Sequence, residues 1–290
     1  MTLYIFLTLS AIIVIAYIKN NWKTWYYRND PVFPEPTIKR KDFYVGFYGT
    51  QDNQIEETKG SFNILLEGQF DGPDKCIQNI LDAKVDTILY VPGQVFSPNE
   101  KDVKHTVLPA AESRLREFLQ TLSSAGALKY VKAICPIDEP NNTVASLSEL
   151  TKAAAIVRSV GSEFPELSRL RLATFYAADK PFMGQDLFDW VGFDDYTMKA
   201  NLMLSDQYNT FVGSLHPHQM VMLIPGAAYG QDPVPFVNFA QVNPRVIAVI
   251  GFLWFDARKN AEGKDDVGAL GARSNGMGSK YLETFKAVLN

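Results

Sequence analysis

The chain has 290 residues, 47% apolar and 21% charged, enough for a full globular core. Its net charge of −4 offers no polyanion-binding surface, which argues against a nucleic-acid partner. Two cysteines, Cys76 and Cys135, form no CxxC or zinc spacing, and three dispersed histidines, His105, His216 and His218, provide no metal-ligating pattern, so no metal or cofactor is expected.

Residues 1–18, "MTLYIFLTLSAIIVIAYI", carry no charge. A spanning helix needs about 20 apolar residues. The following "KNNWKTWYYRND" combines Trp22, Trp25, Tyr26 and Tyr27 with Lys19, Lys23 and Arg28, an aromatic belt with a basic flank. No basic residue precedes the run and no small-x-small site follows it, so residues 1–20 read as an uncleaved signal anchor, a single transmembrane helix, rather than a cleaved signal peptide. Residues 21–41 form the flank and a Pro-rich tether. The basic flank favours a cytoplasmic barrel, whereas the chemistry below favours an exported, periplasmic or extracellular one.

From residue 42 to 290, eight apolar β-rich runs recur: 43–49, 62–68, 86–92, 130–137, 170–177, 190–196, 219–226 and 246–255. They are nearly continuous, which suits strands covered on both faces. Helical patterns intervene, in "DKCIQNILDAKV", "AAESRLREFLQTLSSAG" and "SLSELTKAAAIVRSVG", and "SKYLETFKAVL" closes the chain. Eight strands alternating with helices predict a (β/α)8 TIM barrel. A doubly wound open sheet is the alternative, but no GxGxxG or P-loop follows the first strand.

Active sites of such barrels lie at the C-terminal strand ends. Those ends supply Tyr48, Glu67 with Gln69, Asp138 with Glu139, Tyr176, then Asp194, Asp195 and Tyr196, Tyr229, and finally Trp254 with Asp256. Carboxylates mixed with aromatics suit a carbohydrate: rings stack on sugar faces, and carboxyl groups bind hydroxyls or move protons. Asp138 and Glu139 both reach the mouth only if the strand has ended by Ile137, and Pro140 favours extended geometry at Glu139. More ordinary roles exist for several of these groups. Asp138 could cap a loop, Glu67 could pair with a buried base, one of Asp194 and Asp195 could bind a neighbouring backbone, and one of Trp254 and Phe255 should face the helices.

"ICPIDEPNN" resembles the strand-four end of the large clan of (β/α)8 glycoside hydrolases, where Asn-Glu-Pro or a similar triplet carries the general acid. "DWVGFDDYT" and "GFLWFDAR" resemble the clan's strands six and eight. The resemblance implies Glu139 as general acid, Trp254 as a substrate platform and Tyr196 as a cleft residue. The clan's retaining members usually carry a Glu at the end of strand seven, whereas this chain reads "LIPGAAYG" there. Three routes remain open. A substrate acetamido group could act as nucleophile beside Asp138 and Glu139; Asp194, Asp195 or Glu67 could serve as second carboxylate; or the barrel could be a non-catalytic glycan-binding protein. A metal-dependent hydrolase would need histidines that the strand ends lack.

Overall fold

In this computed structural model, residues 40, 42–51, 53–68, 72–97, 105–143, 145–196, 206–256 and 270–290 are described. The expected anchor (1–20), most of the tether (21–41) and Gln69 lie outside them. Among the described residues no helix is long and apolar enough to cross a membrane.

The eight runs form eight strands: β1 (Tyr44–Phe47), β2 (Ile64–Gly68), β3 (Asp86–Tyr90), β4 (Val131–Cys135), β5 (Arg171–Ala177), β6 (Trp190–Asp194), β7 (Met220–Ile224) and β8 (Val246–Gly251). They lie in one sheet in the order β1-β8-β7-β6-β5-β4-β3-β2, and all seven ladders are parallel. Between them stand α1 (Gln54–Glu57), α2 (Pro73–Ala83), α3 (Pro92–Val95), α4 (Ala111–Ser124), α5 (Leu147–Gly161), α6 (Asp206–Gly213) and α7 (Pro233–Val242). The last helix, α8 (Gly278–Leu289), follows β8. This is the α/β barrel architecture, with β1 and β2 brought together at the seam.

The helices start and stop for local reasons. Ser146 caps α5 by accepting the Glu149 N–H, and Asp232 caps α7 by accepting from Val234 N–H. Pro73 and Pro233 open α2 and α7, where a missing N–H costs nothing.

Strand residues alternate between two destinations. Ile64 and Leu66, Ala133 and Cys135, Ala173 and Phe175, Met222 and Ile224, and Ala248 and Ile250 share the interior cluster. Gly192 makes room in it, since a Cβ there would lie 2.3 Å from the Phe175 ring. The positions between them face the helices: Phe47 meets Tyr281 and Phe285 of α8, and Phe193 meets Tyr208 and Phe211 of α6.

The seam between β1 and β2 is closed by Asn63. Its N–H donates to Val45 O at 3.0 Å, its Oδ1 accepts from Val45 N–H at 2.8 Å, and its Nδ2 donates to Phe43 O at 2.9 Å. One side chain thus stands in for a rung of the ladder. The strands approach so closely that a Cβ on Gly46 would fall 2.3 Å from Ile64 O, a backbone atom. Gly46→Ala should therefore force the seam apart and cost roughly 1–3 kcal/mol, as overpacking does. Thermal unfolding should record a clear drop in melting temperature, and an unaltered melt would mean that the seam has slack.

Candidate active site

Strand β4 ends at Cys135, two residues short of Ile137, so Asp138 and Glu139 are free of strand alternation and both reach the mouth. The turn that carries them is tightly held. Ile137 O accepts from the Thr174 hydroxyl at 2.8 Å, and Glu139 N–H donates to Phe175 O at 3.0 Å. Glu139 O accepts the N–H groups of Asn142 (2.8 Å) and Thr143 (2.9 Å). Asn141 docks the turn on β5 through Ala177 O (2.7 Å) and Ala177 N–H (3.1 Å).

Extended geometry at Glu139, expected from Pro140, is not what forms. Glu139 has φ 43°, in the left-handed region. A residue before proline avoids helical geometry, and a non-glycine residue at positive φ costs on the order of 1–3 kcal/mol. The bonds on both sides of the peptide hold it there. The result directs the carboxylate to Asn142, whose Nδ2 donates to Glu139 Oε2 at 2.8 Å.

Two tyrosine–aspartate pairs stand at the mouth. Tyr48, from the end of β1, donates to Asp138 Oδ2. Tyr196, just past β6, donates to Asp194 Oδ2 at 2.8 Å. The other oxygen of each aspartate, Oδ1, is buried without a hydrogen-bond partner among the described residues. Burial pushes the Asp138 carboxyl up to about 7; the Tyr48 bond opposes this and the Glu139 charge adds to it. Burial also holds Asp194 well above the usual carboxylate range, against the Tyr196 bond and reinforced by the charges of Asp138, Glu139 and Asp195. Burial, the Asp194 charge and the bond to Asp194 together raise Tyr196, which keeps its proton and remains a donor.

Two clefts open on this cluster. One, of about 640 Å³, runs along β3 and β4 and is lined by Tyr90, Phe96, His105, Asp138, Glu139 and Asn142 among others. The second, of about 410 Å³, lies over β5 and β6 and is lined by Lys180, Asp194, Asp195, Tyr196, Glu139 and Asn142 among others. Glu139 and Asn142 line both. Beside them runs an aromatic stack: Phe252 lies on Tyr196 (5.0 Å, 21°), and Tyr196 on Tyr229 (4.7 Å, 18°). Tyr229 is 47% exposed, so the stack reaches from the core to solvent.

The structure thus brings together Asp138, Glu139, Asp194, Asp195, Tyr48, Tyr196 and Tyr229. It places four others elsewhere. Glu67 follows inward-facing Leu66 and so turns outward, fully buried, where it accepts from Asn79 Nδ2 of α2 at 3.0 Å and from Gly68 N–H at 3.0 Å. The Asn79 amide and the Gly68 backbone N–H are partners of its two oxygens. Tyr176 follows inward-facing Phe175, turns to the helices, packs on Phe182 and Phe211, and donates to Met183 O at 2.8 Å.

Trp254 is buried against Phe47 at 5.0 Å, on the helix side, and its indole N–H donates to Glu57 Oε2 at 2.5 Å. It is core rather than a floor of the mouth. Asp256 ties down the segment after β8 through Gly271 N–H (2.9 Å), Arg273 Nε (3.3 Å) and the Ser274 hydroxyl (2.9 Å). Burial raises its carboxyl, but the Ser274, Gly271 and Arg273 contacts outweigh that and hold it below the ordinary value. Sequence reasoning missed Tyr90, Phe252, Asn142 and His105. Tyr90 and Phe252 had a legible signal as aromatics at the ends of β3 and β8.

Among the described residues, no group of three or more His, Cys, Asp or Glu side chains is placed to hold a metal ion.

No protein-family model matches the chain, and no curated protein matches its sequence. Solved structures do resemble it in fold. A GH2 β-galacturonidase from Eisenbergiella tayi bound to galacturonate aligns over 80% of this chain and 46% of its own, with TM-score 0.57 and 9% identity. A β-glucuronidase from an uncultured Clostridium sp. aligns over 84% and 50%, with TM-score 0.53 and 13% identity. The GH26-CBM35 β-(1,4)-mannanase of Podospora anserina aligns over 90% and 69%, with TM-score 0.51 and 11% identity. The chain spans about half the length of the first two. At these identities the likeness establishes a shared fold. These three are glycosidases by name, and what this chain, an eight-stranded parallel α/β barrel, has in common with them is the fold.

The raised Asp138 carboxyl has a consequence for stability. Between the ordinary aspartate value near 4 and about 7, the folded chain holds a proton there that the unfolded chain has released. Stability attributable to Asp138 is therefore full at acid pH, falls as pH rises through that window, and is constant above it. A shift of about three units corresponds to on the order of 4 kcal/mol. The melting temperature of Asp138→Asn should accordingly vary less between about pH 5 and 8 than that of the wild type. Parallel curves for the two proteins would refute a neutral, buried Asp138.

Proposed function

We propose that this barrel is a glycoside hydrolase whose general acid is Glu139, acting on a polysaccharide or glycoconjugate. The supporting observation is the position of Glu139: it lines both clefts where they meet, with Asp138 lining the β3–β4 cleft and Asp194 the β5–β6 cleft. A sugar chain lying across both would place a glycosidic oxygen beside Glu139. The Phe252–Tyr196–Tyr229 stack offers a face to a ring on the Asp194 side.

In this reading Glu139 delivers a proton to the leaving oxygen as the C–O bond breaks, and water completes the hydrolysis. Asn142 fixes the Glu139 carboxyl group. The water that adds to the sugar carbon releases the proton that returns Glu139 to its acid form, beside an Asp138 carboxyl that burial raises to about 7. Burial holds the Asp194 carboxyl well above the usual carboxylate range in the empty site, and positive charge developing on the sugar ring would favour its ionised form. Its stabilisation would be largest in the transition state, where it raises the rate. Residues 1–20 would tether the barrel to a membrane with the barrel exported. Protease accessibility of intact cells tests that placement, and protection of the barrel until lysis would reverse it.

A second reading, glycan binding without turnover, is favoured by one feature. β7 runs into Ile224-Pro225-Gly226 and supplies no carboxylate at the usual nucleophile position.

Hydrolysis of a panel of β-linked polysaccharides by the soluble fragment from about residue 40 separates the two. Glu139→Gln should lower the rate at least a hundredfold with an unchanged melt. Full activity in that variant would remove Glu139 from the chemistry. Binding by the wild type without any turnover would favour the second reading.

A further inference from the structure

His105 has no part in the chemistry above, yet its position is unusual. It is only 9% exposed, and neither ring nitrogen has a hydrogen-bond partner among the described residues. It lines the β3–β4 cleft with Tyr90, Ser97, Asp138, Glu139 and Asn142. An imidazole carries a donor and an acceptor when neutral, and leaving both unsatisfied in a buried site is costly.

The backbone around it is built with care. The chain leaving α3 meets the chain returning to α4 in an antiparallel bridge between Phe96 and Val107. Ser97 N–H donates to Thr106 O at 3.0 Å, and Leu108 N–H donates to Val95 O at 2.8 Å. Val107 N–H donates to Glu149 Oε2 of α5 at 2.7 Å. The ring itself stands edge-on to Phe96, with centroids 6.1 Å apart. Burial lowers the His105 pKa, so the ring is neutral at neutral pH.

We infer that His105 is a substrate-binding residue: its ring nitrogens are closed off in the empty cleft, and a turn of the ring would bring them to hydroxyl groups of the sugar unit that occupies the β3–β4 cleft beside Glu139. A sugar hydroxyl gives and accepts a hydrogen bond at once, matching one donor and one acceptor on the ring. The rest of the cleft wall has the same mixed character. Tyr90, Phe96 and Leu108 give apolar faces for C–H groups, and Ser97, Asn142 and Arg114 give polar groups for hydroxyls. This inference rests on the glycoside reading and adds to it a subsite and the class of group that subsite takes: the hydroxyls of a sugar ring.

The test uses the Glu139→Gln protein, so that binding is measured without turnover. Hexasaccharides of β-1,4-linked glucose, mannose, xylose and N-acetylglucosamine are titrated by calorimetry, and the tightest binder is carried forward. Adding His105→Phe, which keeps an aromatic ring against Phe96, should weaken binding about tenfold, the loss expected for one or two hydrogen bonds. Adding His105→Gln instead, which keeps a donor and an acceptor, should recover part of that loss. Equal affinity for the His105→Phe protein and its parent would overturn the role of His105 and leave the glycoside reading intact. Failure of the parent to bind any of the hexasaccharides would count against both.

Discussion

Eight parallel strands around one interior admit side chains from alternate positions, and the composition of this mouth follows from that parity. Leu66 and Phe175 take inward positions, so Glu67 and Tyr176 are sent to the helices. Phe193 goes outward to α6, so Asp194 turns inward to meet Tyr196. The same rule sends Phe47 outward and Tyr48 inward, onto Asp138. A one-residue slip in β6 would exchange the Asp194 carboxyl for the Phe193 ring at the mouth. The tight seam at Gly46 and Asn63 matters because it joins the first strand, which carries Tyr48, to the second, and so limits slippage there.

Parity also explains which parts of the molecule could be read from sequence. The eight strands and the principal helices were legible because apolar runs broken by capping residues mark buried parallel strands and amphipathic helices; Ser146 and the end of α5 near Gly161 are examples. The phase of each strand was not. A run such as "LRLATFYA" is apolar at nearly every position, since both faces are covered, and it contains no alternation from which to tell Phe175 from Tyr176. Glu67 lay within the same ambiguity, and its outward partner Asn79 is twelve residues away on a different element. Trp254 lies beyond the end of β8 at Gly251, where strand alternation has stopped, so counting could not place it.

The turn at Glu139 shows a different limit. The proline rule is a local steric preference, and it predicted an extended residue. The bonds from Phe175 O to the Glu139 N–H and from Glu139 O to Asn142 and Thr143 N–H groups override it. Most of these contacts are with residues just downstream, but the decisive one crosses to β5. A local rule could not have supplied it.

Many buried polar groups are paired differently at the two ends of the barrel. At the end where strands begin, several are fully paired, although Gln241 near the end of α7 keeps both amide atoms unbonded among the described residues. Tyr44 donates to Asp86 at 2.8 Å, and Asp189 accepts from Leu172 N–H at 2.8 Å. Gln219 is fully buried, yet it donates to Gln185 O and Phe188 O and accepts from His216 N–H. At the end where strands finish, Asp138 Oδ1 and Asp194 Oδ1 are buried without partners, His105 keeps two unbonded nitrogens, and Glu139 sits at positive φ. Each of these features costs stability when the site is empty. Asp138, Asp194 and His105 are unsatisfied at the strand ends, the position where α/β barrels carry out their chemistry.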